Sequence, residues 1–216
     1  ITGTNGKTTV SYILEKALNK NKINCGLIGT INYKLKDKII KASNTTPGNL
    51  ELFKLFADMA KEGLSYVSME ISSHALSQDR VRGIDFNKVV FTNISGDHLD
   101  YHLTFKNYLE AKLLLFRKLN KNAAAIINSD DKYSKYFKDA TKGRIISYGI
   151  KNKSEIRGSD IKVTPDYSRF LLITPKGSLE IKSPLIGIHN VYNILAASCV
   201  LFDEGTRLEE IKRGVE

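Results

Sequence analysis

Tryptophan is absent from the 216 residues, and proline (four), cysteine (two) and methionine (two) are all scarce. The two cysteines, Cys25 and Cys199, belong to no CxxC pair, so we expect buried thiols and keep a disulfide or metal pair as the weaker alternative. No apolar run approaches the ~18 residues of a membrane span, and the first residues do not resemble a secretory signal. These absences exclude a disulfide scaffold and predict a cytoplasmic protein with no membrane partner.

Composition and length nevertheless predict a folded chain. Hydrophobic residues make up 42% of the sequence, more than a disordered segment contains, and fifteen glycines are far too few for a collagen. A length of 216 residues corresponds to one large domain that can bury a sizeable core.

Basic residues outnumber acidic ones by 33 to 23, which gives a formal net charge of +10. Such an excess predicts an acidic partner, which can be nucleic acid, an anionic membrane or nucleotide phosphate. The lysines are mostly scattered, and the chain has no zinc-finger spacing, no RNP-type aromatic motif and no bounded basic helix. A solvated basic surface is the simplest interpretation, and we expect no nucleic-acid partner.

Helical and strand patterns alternate along the chain, which predicts an α/β fold with a mostly parallel sheet and helices on both faces. Apolar residues recur at helical spacing from Val10 to Leu18. Further helices are predicted near 50–60, 104–119, 130–138 and 190–202, with a short amphipathic stretch after 206. Strands are predicted at 23–28, 66–71, 88–92, 123–128 and 144–148. Three short alternating runs between about 155 and 183 predict a small antiparallel meander.

The two ends of the chain indicate a part of a longer protein. Ile1 leads at once into a loop that a strand should precede, and Glu216 follows no terminating signal. We therefore expect residues 1–216 to be one α/β domain that is truncated at both ends.

The most informative segment is Gly-Thr-Asn-Gly-Lys-Thr-Thr at residues 3–9, immediately before the first amphipathic helix. Glycines let backbone N–H groups surround an anion, a lysine can reach the outer phosphates of a nucleotide, and the hydroxyl after it can bind Mg²⁺. The strict P-loop has a longer spacing between its glycines, so a turn that caps the helix stays open as an alternative. The candidate ATP-binding residues of this loop are Gly3, Thr4, Asn5, Gly6, Lys7, Thr8 and Thr9.

This loop resembles the ATP loop of the Mur ligase family, whose members build the peptide of the bacterial cell-wall precursor. Other motifs similar to those of the family follow in the family's order over nearly the whole chain. They are Asn-Thr-Thr-Pro at 44–47, Met-Glu-Ile-Ser-Ser-His-Ala-Leu at 69–76, Gln-Asp-Arg-Val at 78–81, Phe-Thr-Asn-Ile at 91–94, Asp-His-Leu-Asp-Tyr-His at 97–102, Tyr-Leu-Glu-Ala-Lys at 108–112 and Gly-Ile-His-Asn-Val-Tyr-Asn at 187–193. The resemblance implies that residues 1–216 are the central ATP-binding domain, without the family's N-terminal UDP-binding and C-terminal amino-acid-binding domains.

The resemblance also implies magnesium and its ligands. Glu70 ends an apolar strand, at the edge where ligands of open α/β sheets gather, and an ionised carboxylate there favours a cation. By similarity to the family, Glu70, His98 and Thr8 bind Mg²⁺, and His98 also counts among the catalytic residues. A strand-end acid and a loop histidine without a metal remain the alternatives.

Lys112 is unusual for its position. Apolar residues recur at helical spacing from Phe105 to Leu119, and Lys112 falls in the middle of their stripe. Burial lowers the pKa of an amine, and a neutral amine can add CO₂ to become an anionic carbamate. The resemblance implies a carbamylated, metal-orienting lysine here, so Lys112 and Lys7 are candidate catalytic residues. A snorkelling lysine whose stem covers apolar surface is the alternative.

Two further groups of residues have roles only through the resemblance. Asn190 and Asn193 occupy the family's adenine-side positions, although an asparagine at a helix start also caps the helix. The residues implied in contact with the UDP-sugar peptide are Asn44, Thr45, Thr46, Ser72, Gln78 and Arg80. Their hydroxyl, amide and guanidinium groups suit sugar, peptide and carboxylate partners. For Thr45 and Thr46, capping of the helix after Pro47 is the alternative.

Together these features predict an ATP-dependent ligase. It most resembles the members that join a third amino acid to UDP-MurNAc-L-Ala-D-Glu, through an acyl phosphate, in peptidoglycan precursor synthesis. We expect ATP and Mg²⁺ as cofactors and a monomer, and whether lysine or meso-diaminopimelate is added stays open. The alternatives are a nucleotide-binding module without ligase activity, another ligase of the Mur and folylpolyglutamate synthetase superfamily, and a nucleic-acid-stimulated ATPase.

Overall fold

The computed structural model describes all 216 residues, in eight helices and ten strands. The helices are α1 (Lys7–Lys20), α2 (Asn49–Lys61), α3 (Ser73–Ser77), α4 (Leu99–His102), α5 (Phe105–Arg117), α6 (Ser134–Ala140), α7 (Ile188–Asp203) and α8 (Leu208–Val215). The strands are β1 (Cys25–Ile28), β2 (Asn32–Leu35), β3 (Lys38–Lys41), β4 (Tyr66–Met69), β5 (Lys88–Phe91), β6 (Ala124–Asn128), β7 (Arg144–Gly149), β8 (Ile156–Val163), β9 (Ser168–Thr174) and β10 (Gly177–Ser183). Even the longest helix, α7 with 16 residues, is too short to cross a bilayer, and no other helix qualifies.

The strands form two sheets that meet at the first two residues of the chain. The order is β3-β2-β1-β4 in one sheet and β10-β9-β8-β7-β6-β5 in the other. The amino group of Ile1 donates to the carbonyl of Met69 in β4, and Thr2 pairs in parallel with Phe91 of β5. Because β1 and β4 are parallel, as are β5 to β8, the segments that follow these strands begin at the carboxyl ends, where α/β sheets bind ligands.

The predicted α/β architecture is confirmed, including the antiparallel meander of β8, β9 and β10. The hairpin of β2 and β3 is absent from the prediction, because its strands carry so many lysines that their apolar alternation is obscured. Its turn lies in the lysine cluster 34–38, where Lys36 adopts a φ of 55°. The helix predicted at 130–138 begins only at Ser134, because the Asp131 carboxylate accepts the N–H of Tyr133 and closes a turn before it.

Two apolar cores hold the helices against the sheets. α1, α7 and α8 contribute to one core, in which Val10 and Ile194 are fully buried. α2 and α5 contribute to the other, in which Phe116 is fully buried. All five residues of β6 are buried, as expected for a parallel strand that is covered on both faces. Cys25 and Cys199 are free, buried thiols of the first core, as predicted.

Candidate functional site

The glycine-rich loop at residues 3–6 joins the sheet to α1 and is fastened to the end of β5. The N–H of Thr4 donates to the carbonyl of Asn93 at 2.8 Å. The Asn93 side chain pairs with the backbone of Asn5, accepting its N–H at 3.1 Å and donating to its carbonyl at 3.0 Å. The Thr92 hydroxyl donates to the same carbonyl at 2.6 Å. The loop conformation is therefore held by side chains about 90 residues away in sequence.

Helix α1 begins directly after the loop without any side-chain cap. Its N-cap is Gly6, which has no side chain to cap the helix, and its first turn contains no acidic residue. Lys7, Thr8 and Thr9 line the cavity in front of the loop. The N–H groups at a helix start lack partners within the helix and carry a partial positive charge, so this end can bind an anion. Because no side chain caps the helix, the alternative of a capping turn loses its basis.

The two loop glycines are required because each lies too close to a neighbouring segment for a side chain. Gly3 has a φ of 151°, and a Cβ there would lie 1.9 Å from the Thr92 hydroxyl and 2.9 Å from the carbonyl oxygen of Asn93. Gly6 has a φ of 89°, and a Cβ there would lie 2.3 Å from Oδ1 of the buried Asn193. Side chains at these positions would push the loop away from β5 and from α7.

We expect Gly6→Ala to lower the free energy of unfolding by about 1–2 kcal/mol, since an alanine is strained in the left-handed backbone and displaces Asn193. Nucleotide binding should weaken as well, because Gly6 is the N-cap of α1. Thermal denaturation and nucleotide titration measure the two effects. Gly48→Ala is the matched control, since Gly48 has a φ of −65° and a Cβ there would meet no atom within 4 Å. Equal losses in both variants would contradict the prediction.

A polar cavity of about 450 Å³ lies in front of the loop, and no hydrophobic residue lines it. Its lining residues come from the loop, the segment after β3, the start of α3 and the turn before α4, among others. The predicted site residues that line it are Thr4, Asn5, Gly6, Lys7, Thr8, Thr9, Asn44, Thr45, Thr46, Ser72, Arg80 and His98. Gln78 is outside this lining and accepts a hydrogen bond from Nε of Arg80 at 2.8 Å.

The Lys7 side chain folds back over the loop. Its Nζ donates to the carbonyls of Gly3 and Thr4, both at 2.9 Å. Burial lowers the pKa of Lys7, and the charges of Glu70 and Asp97 act in the opposite direction. The ammonium group stabilises the loop through these two hydrogen bonds. To bind a phosphate, it would have to replace at least one carbonyl partner with a phosphate oxygen.

Glu70 is completely buried just after β4 and accepts three hydrogen bonds. The hydroxyl of Thr8 donates to Oε2 at 2.8 Å, the hydroxyl of Thr30 to Oε2 at 3.0 Å, and the N–H of Thr30 to Oε1 at 2.9 Å. It takes part in no ion pair. A buried carboxylate without a cationic side chain, next to a hydroxyl and an anion-binding loop, offers the hard oxygen ligands that Mg²⁺ prefers. These residues fit a magnesium ion.

His98 lies at the edge of the same cavity in a strained conformation. Its φ of 52° and ψ of 32° place it in the left-handed region at the N-cap of α4. Its Nε2 lies 3.5 Å from Oδ2 of Asp97, and its ring packs edge-on against His74 with centroids 4.9 Å apart. No three His, Cys, Asp or Glu side chains of the chain gather closely enough to hold a metal by themselves. A magnesium ion that uses one carboxylate and substrate phosphate needs no such group.

Lys112 is buried behind the loop, with only 1% of its surface exposed. Its Nζ donates to the carbonyl of Gly3 at 3.0 Å and lies 4.5 Å from the centroid of the Tyr108 ring. Burial lowers the pKa of Lys112 well below its ordinary value, and the charge of Lys7 lowers it further. A snorkelling lysine would reach water, so the burial of this amine excludes that alternative.

The segment Asn44–Thr46 is attached to the backbone of Glu70 through the side chain of Thr46. The Thr46 hydroxyl donates to the carbonyl of Glu70 at 2.9 Å and accepts the N–H of Ser72 at 3.0 Å. Arg80 Nη1 donates to the carbonyl of Thr46 at 2.9 Å. Neither threonine of the segment caps α2, whose N-cap is Gly48 without a side-chain hydrogen bond. The capping alternative therefore does not apply.

A second cavity, of about 320 Å³, lies on the other side of Gly6 and is lined by Asn193. Nδ2 of Asn193 donates to Oδ1 of Asn190 at 3.1 Å, and Nδ2 of Asn190 donates to the carbonyl of Ile186 at 2.8 Å. α7 begins at Ile188 with Gly187 as its N-cap, two residues before the predicted start, so neither asparagine caps it. The pair lies in the first two turns of α7, beside the loop.

The residues that contact the site but are missing from the sequence-based set include Thr30, His74, Asn93 and Tyr108. Thr30 follows β1, so the rule that ligand contacts gather after parallel strands could have identified it. Asn93 belongs to the Phe-Thr-Asn-Ile motif at 91–94, but the sequence predicts no role for it. The Tyr108 hydroxyl lies 3.0 Å from the hydroxyl of Thr4, a contact between distant segments that no spacing in the sequence indicates.

Residues 1–201 match the Mur ligase middle domain. This chain belongs to the Mur ligase family. Two relatives are each named UDP-N-acetylmuramoyl-L-alanyl-D-glutamate--2,6-diaminopimelate ligase. The relative from Geobacillus thermodenitrificans is 45% identical over 98% of the chain and 44% of its own length. The relative from Listeria monocytogenes serovar 1/2a is 44% identical over 100% of the chain and 45% of its own length.

A solved structure of a ligase of the same name superposes with a TM-score of 0.87 at 32% identity, over 99% of this chain. The chain spans 44% of that structure, as it spans less than half of both Mur ligase relatives named above. Because the superposition covers nearly every residue of the chain, it includes both sheets and the segments that line the polar cavity.

Proposed function

We propose that this chain is the ATP-binding part of a ligase that joins 2,6-diaminopimelate to UDP-N-acetylmuramoyl-L-alanyl-D-glutamate. The side-chain carboxylate of D-glutamate attacks the γ-phosphorus of ATP, and ADP leaves. The amine of the incoming amino acid then attacks the acyl phosphate, and inorganic phosphate leaves. The names of the relatives support the choice of both substrates, and their greater length supports further domains that bind UDP and the amino acid.

The observation that carries this proposal is the uncapped start of α1, which faces a cavity shared with the segment Asn44–Thr46 and Arg80. The N–H groups of the helix and the ammonium of Lys7 are suited to the phosphates of ATP. Arg80 offers guanidinium donors on the same cavity, suited to a carboxylate. Phosphoryl transfer depends on positioning of donor and acceptor, and one shared polar cavity would hold ATP next to the substrate carboxylate.

The other residues of the site have supporting tasks in this proposal. Thr8, Glu70 and His98 would hold Mg²⁺, which neutralises charge on the phosphates when it is bound. Asn193, which lines the second cavity, and its hydrogen-bond partner Asn190 would contact the adenine. Ser72 and Gln78 extend the substrate side, where Ser72 also accepts the N–H of Ala75 and caps α3.

The proposal is tested by ADP release from the full-length protein. Release should require both UDP-N-acetylmuramoyl-L-alanyl-D-glutamate and an amino acid. Diaminopimelate should exceed L-lysine by about 10⁴-fold in kcat/KM, because a site built to pair the second carboxylate is left with unpaired donors when lysine binds. Preference for L-lysine would overturn the choice of amino acid alone. ADP release that ignores the UDP substrate and responds to DNA would overturn the ligase function.

A further inference from the structure

We propose that Thr30 is a positioning residue that couples the substrate side of the cavity to Glu70. The inference rests on the ligase function proposed above and deepens it in two ways. It adds a residue that connects two parts of the site, and it assigns a chemical class to the group that Thr45 recognises. Thr30 directly follows Gly29 after β1, and its side chain lines the polar cavity.

Thr30 holds the Glu70 carboxylate at two points and touches the substrate segment at a third. Its N–H donates to Oε1 at 2.9 Å and its hydroxyl to Oε2 at 3.0 Å, which fixes the plane of the carboxylate. Its hydroxyl oxygen also lies 3.1 Å from the hydroxyl oxygen of Thr45. Gly29 permits this approach, because a Cβ there would lie 2.2 Å from Oε1 of Glu70.

The hydrogen bonds among Glu70, Thr30 and Thr45 allow only one assignment of donors and acceptors. Three donors and no acceptor converge on Glu70, so the carboxylate accepts from both Thr8 and Thr30. The single hydroxyl hydrogen of Thr30 is then used, and the hydrogen between the two threonines must come from Thr45. Thr45 consequently presents only lone pairs to the cavity. It accepts from a hydrogen-bond donor of the bound substrate, a peptide N–H or a sugar O–H.

This arrangement connects two binding events. A substrate donor at Thr45 strengthens the hydrogen bond from Thr45 to Thr30 and thereby the one to Glu70, because linked hydrogen bonds polarise one another. Glu70 in turn accepts from Thr8, which is part of the phosphate loop. Substrate and magnesium-nucleotide should therefore raise each other's affinity, and such coupling is reciprocal.

The test compares Thr30→Val with Thr30→Ser in the full-length protein. Valine keeps the size and the N–H but lacks the hydroxyl, whereas serine keeps the hydroxyl. Calorimetry measures the dissociation constant of ADP with and without Mg²⁺, and that of UDP-N-acetylmuramoyl-L-alanyl-D-glutamate with and without Mg²⁺ and ADP. In Thr30→Val, we expect the factor by which Mg²⁺ raises the affinity for ADP to fall about tenfold. We also expect that ADP and the UDP substrate no longer change each other's dissociation constants. Thr30→Ser should restore both.

The outcomes separate this inference from the ligase proposal. Failure of the wild-type protein to bind the UDP substrate would sink the proposed function, while the ADP titrations with and without Mg²⁺ would still decide the role of Thr30. Wild-type behaviour of Thr30→Val in those titrations would overturn the inference, as would a Thr30→Ser variant that resembles Thr30→Val. Thermal denaturation shows whether each variant folds, and the serine variant keeps the test valid if the valine variant does not.

Discussion

Replacement of Lys112 by methionine is expected to reduce ligation by at least about a hundredfold while the protein still folds and binds nucleotide. The amine is buried and its pKa is lowered well below 10.5, so it is available in the neutral form that adds CO₂. A carbamate at this position would place an anion directly behind the phosphate loop, next to Gly3. Methionine has a similar length and apolar stem but can form no carbamate.

Lys106→Met is the matched control, because Lys106 lies on the same helix and is exposed. In the wild-type protein, isotopically labelled bicarbonate should give a carbamate signal in carbon NMR that Lys112→Met lacks and Lys106→Met keeps. Folding is checked by denaturation in CO₂-depleted buffer. The lowered pKa of Lys112 means that the unfolded state binds more protons, so this residue costs stability below pH 10.5 and the methionine variant should gain stability there. Full ligation by Lys112→Met, or by wild type without CO₂, would refute the carbamate.

Replacement of Lys7 by methionine is expected to weaken ATP binding by about 10- to 100-fold, the effect of one lost charge-assisted hydrogen bond to phosphate. Ligation should fall by more, since the ammonium also stabilises charge that develops during phosphoryl transfer. The side chain is already directed at the loop through the carbonyls of Gly3 and Thr4. Burial lowers the pKa of Lys7 as it does that of Lys112, so the stability gained by removing a buried cation opposes the loss of a donor to these carbonyls, and denaturation is measured alongside binding.

Lys16→Met is the control for this change, because Lys16 lies on the exposed face of the same helix α1. Calorimetric titration with a non-hydrolysable ATP analogue measures binding in both variants, and thermal denaturation separates binding from folding. The role assigned to Lys7 would be wrong if both methionine variants bound this analogue with the wild-type dissociation constant. An equally lower affinity in Lys7→Met and Lys16→Met would point to a general effect of net charge.

Most of the architecture could be predicted because hydrophobic period and turn residues are local properties of the chain. The alternation of helices and strands, the antiparallel meander and the uninterrupted apolar run of β6 are all visible at short range. The β2–β3 hairpin escaped prediction because its strands are short and rich in lysine. Pairing with β1 stabilises it, and that contact lies outside any local window.

The residues of the candidate site also fall into those that the local sequence indicates and those that depend on distant contacts. The phosphate loop could be predicted because its residues are consecutive, and Lys112 because a charge within an apolar stripe is visible in the sequence alone. The role of Asn93 could not, because it depends on a hydrogen-bond partner in a distant segment. The end of β1 marks Thr30 as a candidate, but its contact with Glu70, 40 residues away, is visible only in the folded chain. Motif membership likewise did not show that the Thr46 side chain is buried against the backbone of Glu70.

The sequence by itself therefore determined the order of the main helices and strands, apart from the β2–β3 hairpin and the short helices α3 and α4. It also determined the anion-binding loop and the lysine that lies among apolar residues. Tertiary structure alone decided which hydroxyls surround Glu70, how far Lys112 is from water and which segments share the cavity. The physical reason is that propensity and periodicity act between neighbours in sequence. Burial and hydrogen bonding at the carboxyl ends of the strands act between residues such as Thr8 and Glu70, which only the assembled sheets bring to 2.8 Å.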